Sequence, residues 1–383
     1  MQVALVTGNN VYYASGFSSL FIPQYLAENK SFHLIDAKVK CNEKYEKYAK
    51  VKQGLTKEEF WNNLNTEDFI IENGLQIENV NEFLAELKID FLELARIAED
   101  VDRYELYRWQ EYRCFCSHSS ITDSEGLTFN DIVLSDGLQH FFKKIQQIQE
   151  LKVTQVQLDF TRVKPKERIK VGSEILSSSL GKNIYSCNED ELFVLPANET
   201  YGEGLFFQFN DEQISAWINS NNKFLNARFE NFFKDVDVNT QGSSVKQRIK
   251  NNGVKHFLIH TFSHLLMKEL EFSCGYPTAS LKERLYISDR MSGVLIYTAE
   301  GSEGSMGGLV WQGQPSKIKE LLINGLQRAV NCSSDPLCWE SEEQGIFDLN
   351  LSACFSCALV SETACEEMNL GLDLKGGMNV TLE

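Results

Sequence analysis

The sequence predicts an α+β chain with a helical N-terminal region, a β-rich middle and a helical C-terminal domain built around clustered cysteines. Three observations carry this. Helical spacing dominates from Leu26 to Leu151, alternating and aromatic-rich runs follow, and five of the ten cysteines fall between Cys332 and Cys365. The expected divisions are 1–151 (mainly helical), 152–220 (small and β-rich), 221–375 (the cysteine domain) and a tail, 376–383. A chain of 383 residues, 43% apolar and 24% charged, has enough material for more than one core.

Residues 1–25 read as strand and loop, rich in β-branched and aromatic side chains. Thr56-Lys-Glu-Glu59 is a capping box opening a helix through Phe60 and Trp61. Asn79–Leu87 and Ala98–Cys116 carry helical spacing, and the acid-rich stretch 72–102 suits solvated helix faces. Val153–Phe160 alternates with period two, as a half-buried strand does; Glu191–Leu195 and Gly204–Phe209 are further strands. Asp211 is the expected N-cap of a helix through Ile214 and Trp217. Val254–Leu270 is apolar round nearly its whole circumference, which marks an enclosed helix, with Gly275 as its C′ residue. Leu285–Ile287 and Gly293–Thr298 read as strands. Gly301–Gly308 is a flexible connection or an anion-binding nest, and Lys317–Val330 an amphipathic helix leading into the cysteines.

Acids outnumber bases by 54 to 37, for a formal charge of −17, so nucleic acid or an anionic membrane is repelled unless a local basic patch receives it. Arg162, Lys164, Lys166, Arg168 and Lys170 form one such patch against a single acid, Glu167; Lys246, Arg248, Lys250 and Lys255 form a second. Each is a candidate for phosphate contacts or a plain solvated face. No apolar run reaches about 18 residues, and the start has no basic n-region before an apolar stretch. A cytoplasmic chain with reduced thiols and no membrane contact is the expectation.

Familiar catalytic signatures are missing from the sequence. There is no GxxxxGK[ST], HExxH, GxSxG or helix-opening GxGxxG, which argues against a self-sufficient enzyme. The pattern Cys332-x5-Cys338-x15-Cys354-x2-Cys357 has the character of a zinc site, in which two pairs of thiolates from separate segments close one tetrahedral shell. Four thiolates with no open position make such a Zn2+ structural. Cys365, eight residues on, is an alternative ligand that would displace Cys332 or Cys338; buried free thiols or a redox pair is the competing reading. His256, His260 and His264 recur every four residues and drift only about 80° in all, so they form one stripe. They are either core imidazoles or, with an acid such as Glu269 or Glu303, a metal or general-base site; the catalytic version requires His260 and His264 to face an open cleft.

His260-Thr-Phe-Ser-His264-Leu-Leu, Cys274-Gly-Tyr-Pro and Ala279-Ser-Leu-Lys-Glu-Arg284 resemble the C-terminal region of the DrmB family, the helicase-associated component of the DISARM anti-phage system. So do Gly293–Thr298, Ser302–Leu309, Cys332–Cys338, Ala353–Cys357 and Glu362–Cys365, with looser matches at Asn10–Tyr13, Phe21–Pro23, Phe160–Arg162 and Gly202–Phe206. From Gly293 onward the chain is also similar to the zinc-binding (MZB) domain that ends MrfA-type DNA-repair helicases. The resemblance implies a non-catalytic accessory subunit of a defence complex, partnering a superfamily 2 helicase and working near DNA, with structural zinc on the clustered cysteines. Members of the family begin with a further segment bearing a zinc-ribbon-like cysteine set. This chain starts where that segment would end, as a shortened form, a split-gene product or part of a related system would. Two other classes stay open: a hydrolase or nuclease using His256, His260 and His264, and a protein-interaction scaffold without DNA contact.

Overall fold

Buried positions in the middle of the chain build one antiparallel sheet, and a single enclosed helix organises what packs on it. The computed structural model describes residues 12–22, 30–52, 54–72, 80–93, 103–122, 124–162, 182–183, 186–187, 193–233, 243–276, 278–298, 307–330, 332–344, 350–361 and 363–377. The chain divides into two compact units, Met1–Phe21 with Phe115–Glu383, and Ile22–Cys114.

The smaller unit is helical: α1 (Lys30–Val51), α2 (Lys57–Asn62), α3 (Thr66–Glu72), α4 (Val80–Glu93) and most of α5 (Arg103–Ser117). Residues one turn apart, Ala37 with Cys41 and Phe83 with Leu87, present one face each to Phe60, Trp61 and Phe69. The capping box forms: Glu59 N–H donates to Thr56 Oγ1 (3.2 Å) and Thr56 N–H to Glu59 Oε2 (3.3 Å).

In the larger unit the strands are β1 (Tyr12–Leu20), β2 (Ser120–Ile121), β3 (Leu127–Asp131), β4 (Phe142–Arg162), β5 (Lys182–Asn183), β6 (Ser186–Cys187), β7 (Phe193–Val194), β8 (Ala197–Phe209), β9 (Leu281–Ser288) and β10 (Met291–Thr298). The sheet runs β2-β3-β4-β8-β10-β9, with β1 and β5 also on β4; β6 and β7 form a separate pair. All the registered pairings are antiparallel. β8 is buried on both faces over Gly202–Phe207: Leu205 and Phe207 turn to the helices, while Phe206 stacks on Phe115 (4.8 Å between ring centres) and meets Tyr286 edge-on.

Three expectations need correction. The division at 151/152 falls inside β4, an unbroken strand, and β2 and β3 lie in the stretch read as helical. The cause is a bulge: the register against β8 shifts between Ile148 and Leu151, so Ile145, Ile148 and Leu151, three apart like one helix face, are all buried in a strand. Of Glu191–Leu195, Phe193–Val194 are strand and Leu195 lies beyond it, while 191–192 are outside the described residues. The N-cap of the next helix is Asn210, whose side chain accepts from Glu212 N–H; Asp211 is the first helical residue and instead binds Lys143 (3.1 Å).

The remaining helices are α6 (Asp136–Phe141), α7 (Asp211–Ser220), α8 (Asn222–Phe233), α9 (Ser243–Asn252), α10 (Val254–Cys274), α11 (Gly308–Gln312), α12 (Pro315–Val330), α13 (Leu337–Glu340) and α14 (Leu374–Gly377). α10 is enclosed as expected: Ile259, Leu266, Met267 and Leu270 join Val294 and Ile296 of the sheet and Ile318, Leu321 and Leu322 of α12 in one core. Gly275, at φ 73°, ends it in the left-handed region where glycine carries no steric penalty. Most of the glycine loop lies outside the described residues, but its end does not: the buried carboxylate of Glu203 accepts from Gly307 N–H (2.7 Å), Leu309 N–H (2.8 Å) and Tyr276 O–H (2.9 Å), anchoring the start of α11.

Residues 350–377 contain little regular structure, so side chains hold them. Arg228 forks onto Asp373 (2.6 and 2.7 Å) and Arg248 onto Glu367 (3.0 and 2.6 Å); Asn350 bonds the Asn369 carbonyl and the Leu372 N–H. Asp373 is only 1% exposed. Arg228→Met strands that carboxylate and should destabilise the larger unit by about 3–5 kcal/mol; Asp373→Asn should cost a similar amount, and the double variant less than the sum, read from denaturant unfolding.

Candidate metal centre

The first cluster is set up by the turn after α12. Asp335 accepts from Cys332 N–H (3.1 Å, Oδ2) and Trp339 N–H (3.1 Å, Oδ1), folding the chain so that Cys332, before the turn, and Cys338, on α13, face the same way. The second pair comes from the knuckle Cys354-Phe-Ser-Cys357, where Ala358 and Leu359 N–H both return to the Cys354 carbonyl (2.9 and 3.1 Å). Gln344 joins the two segments by pairing with Asn350 and donating to the Leu351 carbonyl (2.6 Å).

The four sulfurs lie within 4.8 Å of one another, with Cys332–Cys354 at 3.4 Å, Cys338–Cys357 at 3.7 Å and Cys354–Cys357 at 3.7 Å. All four thiols are free. A disulfide needs sulfurs about 2.05 Å apart; sulfurs at the corners of a zinc tetrahedron stand about 3.8 Å apart, given a Zn–S bond near 2.3 Å. The spacing therefore suits an ion, not a cross-link. The surroundings suit thiolates: Ser334 N–H points at Cys332 Sγ (3.4 Å), Cys354 N–H at Cys357 Sγ (3.2 Å) and Gln344 Nε2 at Cys338 Sγ (3.6 Å). Burial pushes the Cys338 thiol up to about 12 and raises that of Cys357, while at Cys354 burial is outweighed by the Cys332 thiol and nearby backbone, which bring it to about 6. Only a bound cation lets all four ionise together. Leu265, Ala353, Ala358, Leu372 and Leu374 surround the site, and four sulfurs leave no coordination position for a substrate.

Cys365 is elsewhere. It meets His260, His264 and Glu283 in a second group whose ligating atoms also lie within 4.8 Å of one another, every one of them buried. The five-for-four ambiguity is thus resolved by distance: four cysteines together, the fifth with the histidines. The two groups are neighbours in the chain path, since His264 Nδ1 is 2.9 Å from the carbonyl of Ala358, the residue after Cys357.

The catalytic reading of the stripe fails on access. His260 and His264 are 0% exposed, so no cleft reaches them. Burial lowers the pKa of His264 and takes that of His256 well below the usual imidazole value; at His260 burial is opposed by the charge of and bond to Glu283, the charge of Glu367 and the Gly371 backbone, which together raise it. Burial would lift the Glu283 carboxyl, but the two imidazoles hold it well below the usual carboxylate range. The acid that meets the histidines is Glu283, not Glu269, which accepts from Ser273 (2.8 Å); Glu303 lies outside the described residues. Glu283 lies inside β9 between partly buried Lys282 and buried Arg284, and no sequence signal singled it out.

The basic patches divide likewise. Lys164, Lys166, Arg168, Lys170 and the side chain of Arg162 lie outside the described residues. In the second group Arg248 is committed to Glu367, Lys255 to Asp211 (3.6 Å) and the Ser288 carbonyl (2.8 Å), and Lys246 is buried. Lys250 is the exposed member of that group, while Arg248 and Lys255 are paired with acids and Lys246 is buried. Among the described residues, no helix is long and apolar enough to cross a membrane.

Against known proteins, residues 262–358 match the MrfA Zn-binding domain (MZB) family. The chain is also similar to the DISARM protein DrmB of Bacillus paralicheniformis, 32% identical over 282 residues, which is 72% of this chain and 48% of that protein. The chain spans about half the length of this curated relative. The chain is accordingly similar to DrmB over 72% of its length, and its residues 262–358, similar to the MZB family, hold the four-cysteine cluster of a structural zinc site.

Proposed function

We propose that the chain is a non-catalytic accessory subunit of an anti-phage defence complex, in which Cys332, Cys338, Cys354 and Cys357 hold a structural zinc and the region so fastened docks a superfamily 2 DNA helicase. The similarity to a DISARM protein supports the setting. The observation that carries the non-catalytic part is the closed cluster: four sulfurs fill a tetrahedral shell, and the nearby histidines are sealed from solvent. Zinc would supply a fixed point tying the end of α12 to the CxxC knuckle.

A second reading, a protein-interaction scaffold without DNA contact, is favoured by the net charge and by the inward turn of Arg248 and Lys255. DNA contact on the first reading falls to Arg162, Lys164, Lys166, Arg168 and Lys170.

The purified chain should carry at least one zinc, and Cys354→Ser or Cys357→Ser should lose it. Structural zinc is worth on the order of 10 kcal/mol in peptides, comparable to the stability of a domain, so these variants should also expose residues 332–377 to proteases. Zinc content by elemental mass spectrometry and limited proteolysis check both. Tagged chain should co-purify a helicase from its native host, and the Cys354→Ser chain should not; capture that survives the substitution removes the docking role of the zinc region. If DNA is touched, affinity should fall steeply between 50 and 200 mM salt (a range over which about six phosphate contacts cost roughly a thousandfold), and Lys164→Glu with Arg168→Glu should flatten that slope. No DNA binding even at 50 mM salt leaves the scaffold reading standing.

A further inference from the structure

We propose that His260, His264, Glu283 and Cys365 form a second metal site, a fully buried N2OS centre that takes Zn2+ and is separate from the four-cysteine cluster. The proposal stands on its own geometry and does not depend on the reading of the first cluster or on the docking role.

Three elements supply the ligands. α10 gives His260 and His264 one turn apart, β9 gives Glu283, and the turn near the chain's end gives Cys365. His260 Nε2 is 3.3 Å from Glu283 Oε1 and 3.3 Å from Cys365 Sγ, and His264 Nε2 is 3.6 Å from the same Glu283 oxygen. Nitrogen, oxygen and sulfur ligands on one tetrahedral zinc stand about 3.3–3.6 Å apart, from bonds of about 2.0–2.1 Å to N or O and 2.3 Å to S. Two ligands outside the family match, His260 and Cys365, complete a set whose other two lie inside residues 262–358.

The argument for an ion turns on which atoms hold protons. The Ala358 carbonyl can only accept, so the bond to His264 Nδ1 places a proton on Nδ1. In the neutral imidazole, Nε2 then presents a bare lone pair to the Glu283 carboxylate, two acceptors facing each other in a dry interior. Nε2 has no hydrogen-bond partner, though the residue is wholly buried. Such an orphan is costly unless something positive sits between the pair. A proton on His260 can serve Glu283 or Cys365, but it leaves His264 unanswered. One dication in the middle answers all four ligands.

The shell around the group is that of a coordinated site. Cys365 Sγ receives two backbone donors, Glu367 N–H (3.3 Å) and Asn369 N–H (3.1 Å), as a thiolate would. Glu283 is held by Ser263 O–H on Oε2 (2.6 Å) and by Glu366 N–H on Oε1 (3.0 Å). The Nδ1 bond to Ala358 fixes the tautomer and ring plane of His264, as a carbonyl or carboxylate does behind most metal-bound histidines. A thiolate and a carboxylate together balance the charge of Zn2+, which removes the cost of burying either alone. The mixture of imidazole, thiolate and carboxylate suits zinc better than a hard ion such as Mg2+. With every ligand buried, the centre is a fastener between helix, sheet and terminal turn.

The test uses the full, unaltered chain, loaded with zinc alone. Elemental analysis should give two zinc ions per chain, and X-ray absorption at the zinc edge should show a mixed shell averaging five sulfurs to three nitrogen or oxygen atoms over the two ions. Glu283→Gln and Cys365→Ser should each drop the content from two to one while the remaining shell becomes all sulfur. One ion in an all-sulfur shell in the unaltered chain overturns the second site and leaves the first intact. Two ions retained by both variants overturns it as well. The measurement on the unaltered chain reads the shell directly, so a variant that fails to fold does not shield the proposal.

Discussion

Helix α10 is buried over most of its circumference, and this constraint governs the larger unit. A polar group on an enclosed helix has lost its water and must find a partner in the protein. Ser263 finds Glu283, Thr261 accepts from Asp373 N–H (3.0 Å) and His264 meets the Ala358 carbonyl. These partners lie on β9 or in the irregular residues after 350. The helix therefore does more than fill the core: its inward polar atoms fix where a segment without regular structure must run. The forks Arg228–Asp373 and Arg248–Glu367 then clamp that segment from α8 and α9.

Much of this was legible in the chain. The capping box at Thr56, the enclosed character of Val254–Leu270, the glycine that ends it and the paired cysteines are local signals, and each forms. What was hidden depends on register or on distance in space. The bulge between Ile148 and Leu151 gives a strand the apolar spacing of a helix, and no count of periodicity separates the two. The division of five cysteines into four and one depends on which turn brings Cys365 to α10 across 105 residues, and spacing along the chain carries no record of that. The charged cluster Lys246–Lys255 misleads for the same reason: its partners Glu367 and Asp211 are remote in sequence.

The two ligand clusters share a property that bears on function. Both are closed, one by four sulfurs and one by burial, so neither offers a position where a substrate could enter. What such centres supply is rigidity, which on the proposed docking role would hold a surface in place. The knuckle shows the link: Phe355, between Cys354 and Cys357, is 78% exposed, with the Lys268 ammonium 5.0 Å from its ring centre and bonded to its carbonyl (3.2 Å). A large apolar ring held out in water by a metal-ligand turn on one side and by a cation from α10 on the other cannot collapse onto its own surface.

Electrostatics constrain the proposed contact with DNA. At a formal charge of −17 the chain as a whole repels a phosphate backbone, and in the second basic group the cations Arg248 and Lys255 are already paired with the chain's own carboxylates, Glu367 and Asp211. On the proposed DNA-contacting reading, affinity comes from the run Arg162–Lys170 or from a cationic groove on a partner, with this chain supplying shape. In the second case salt would weaken the complex through the partner's charges, and substitutions in this chain would act on assembly before they acted on DNA.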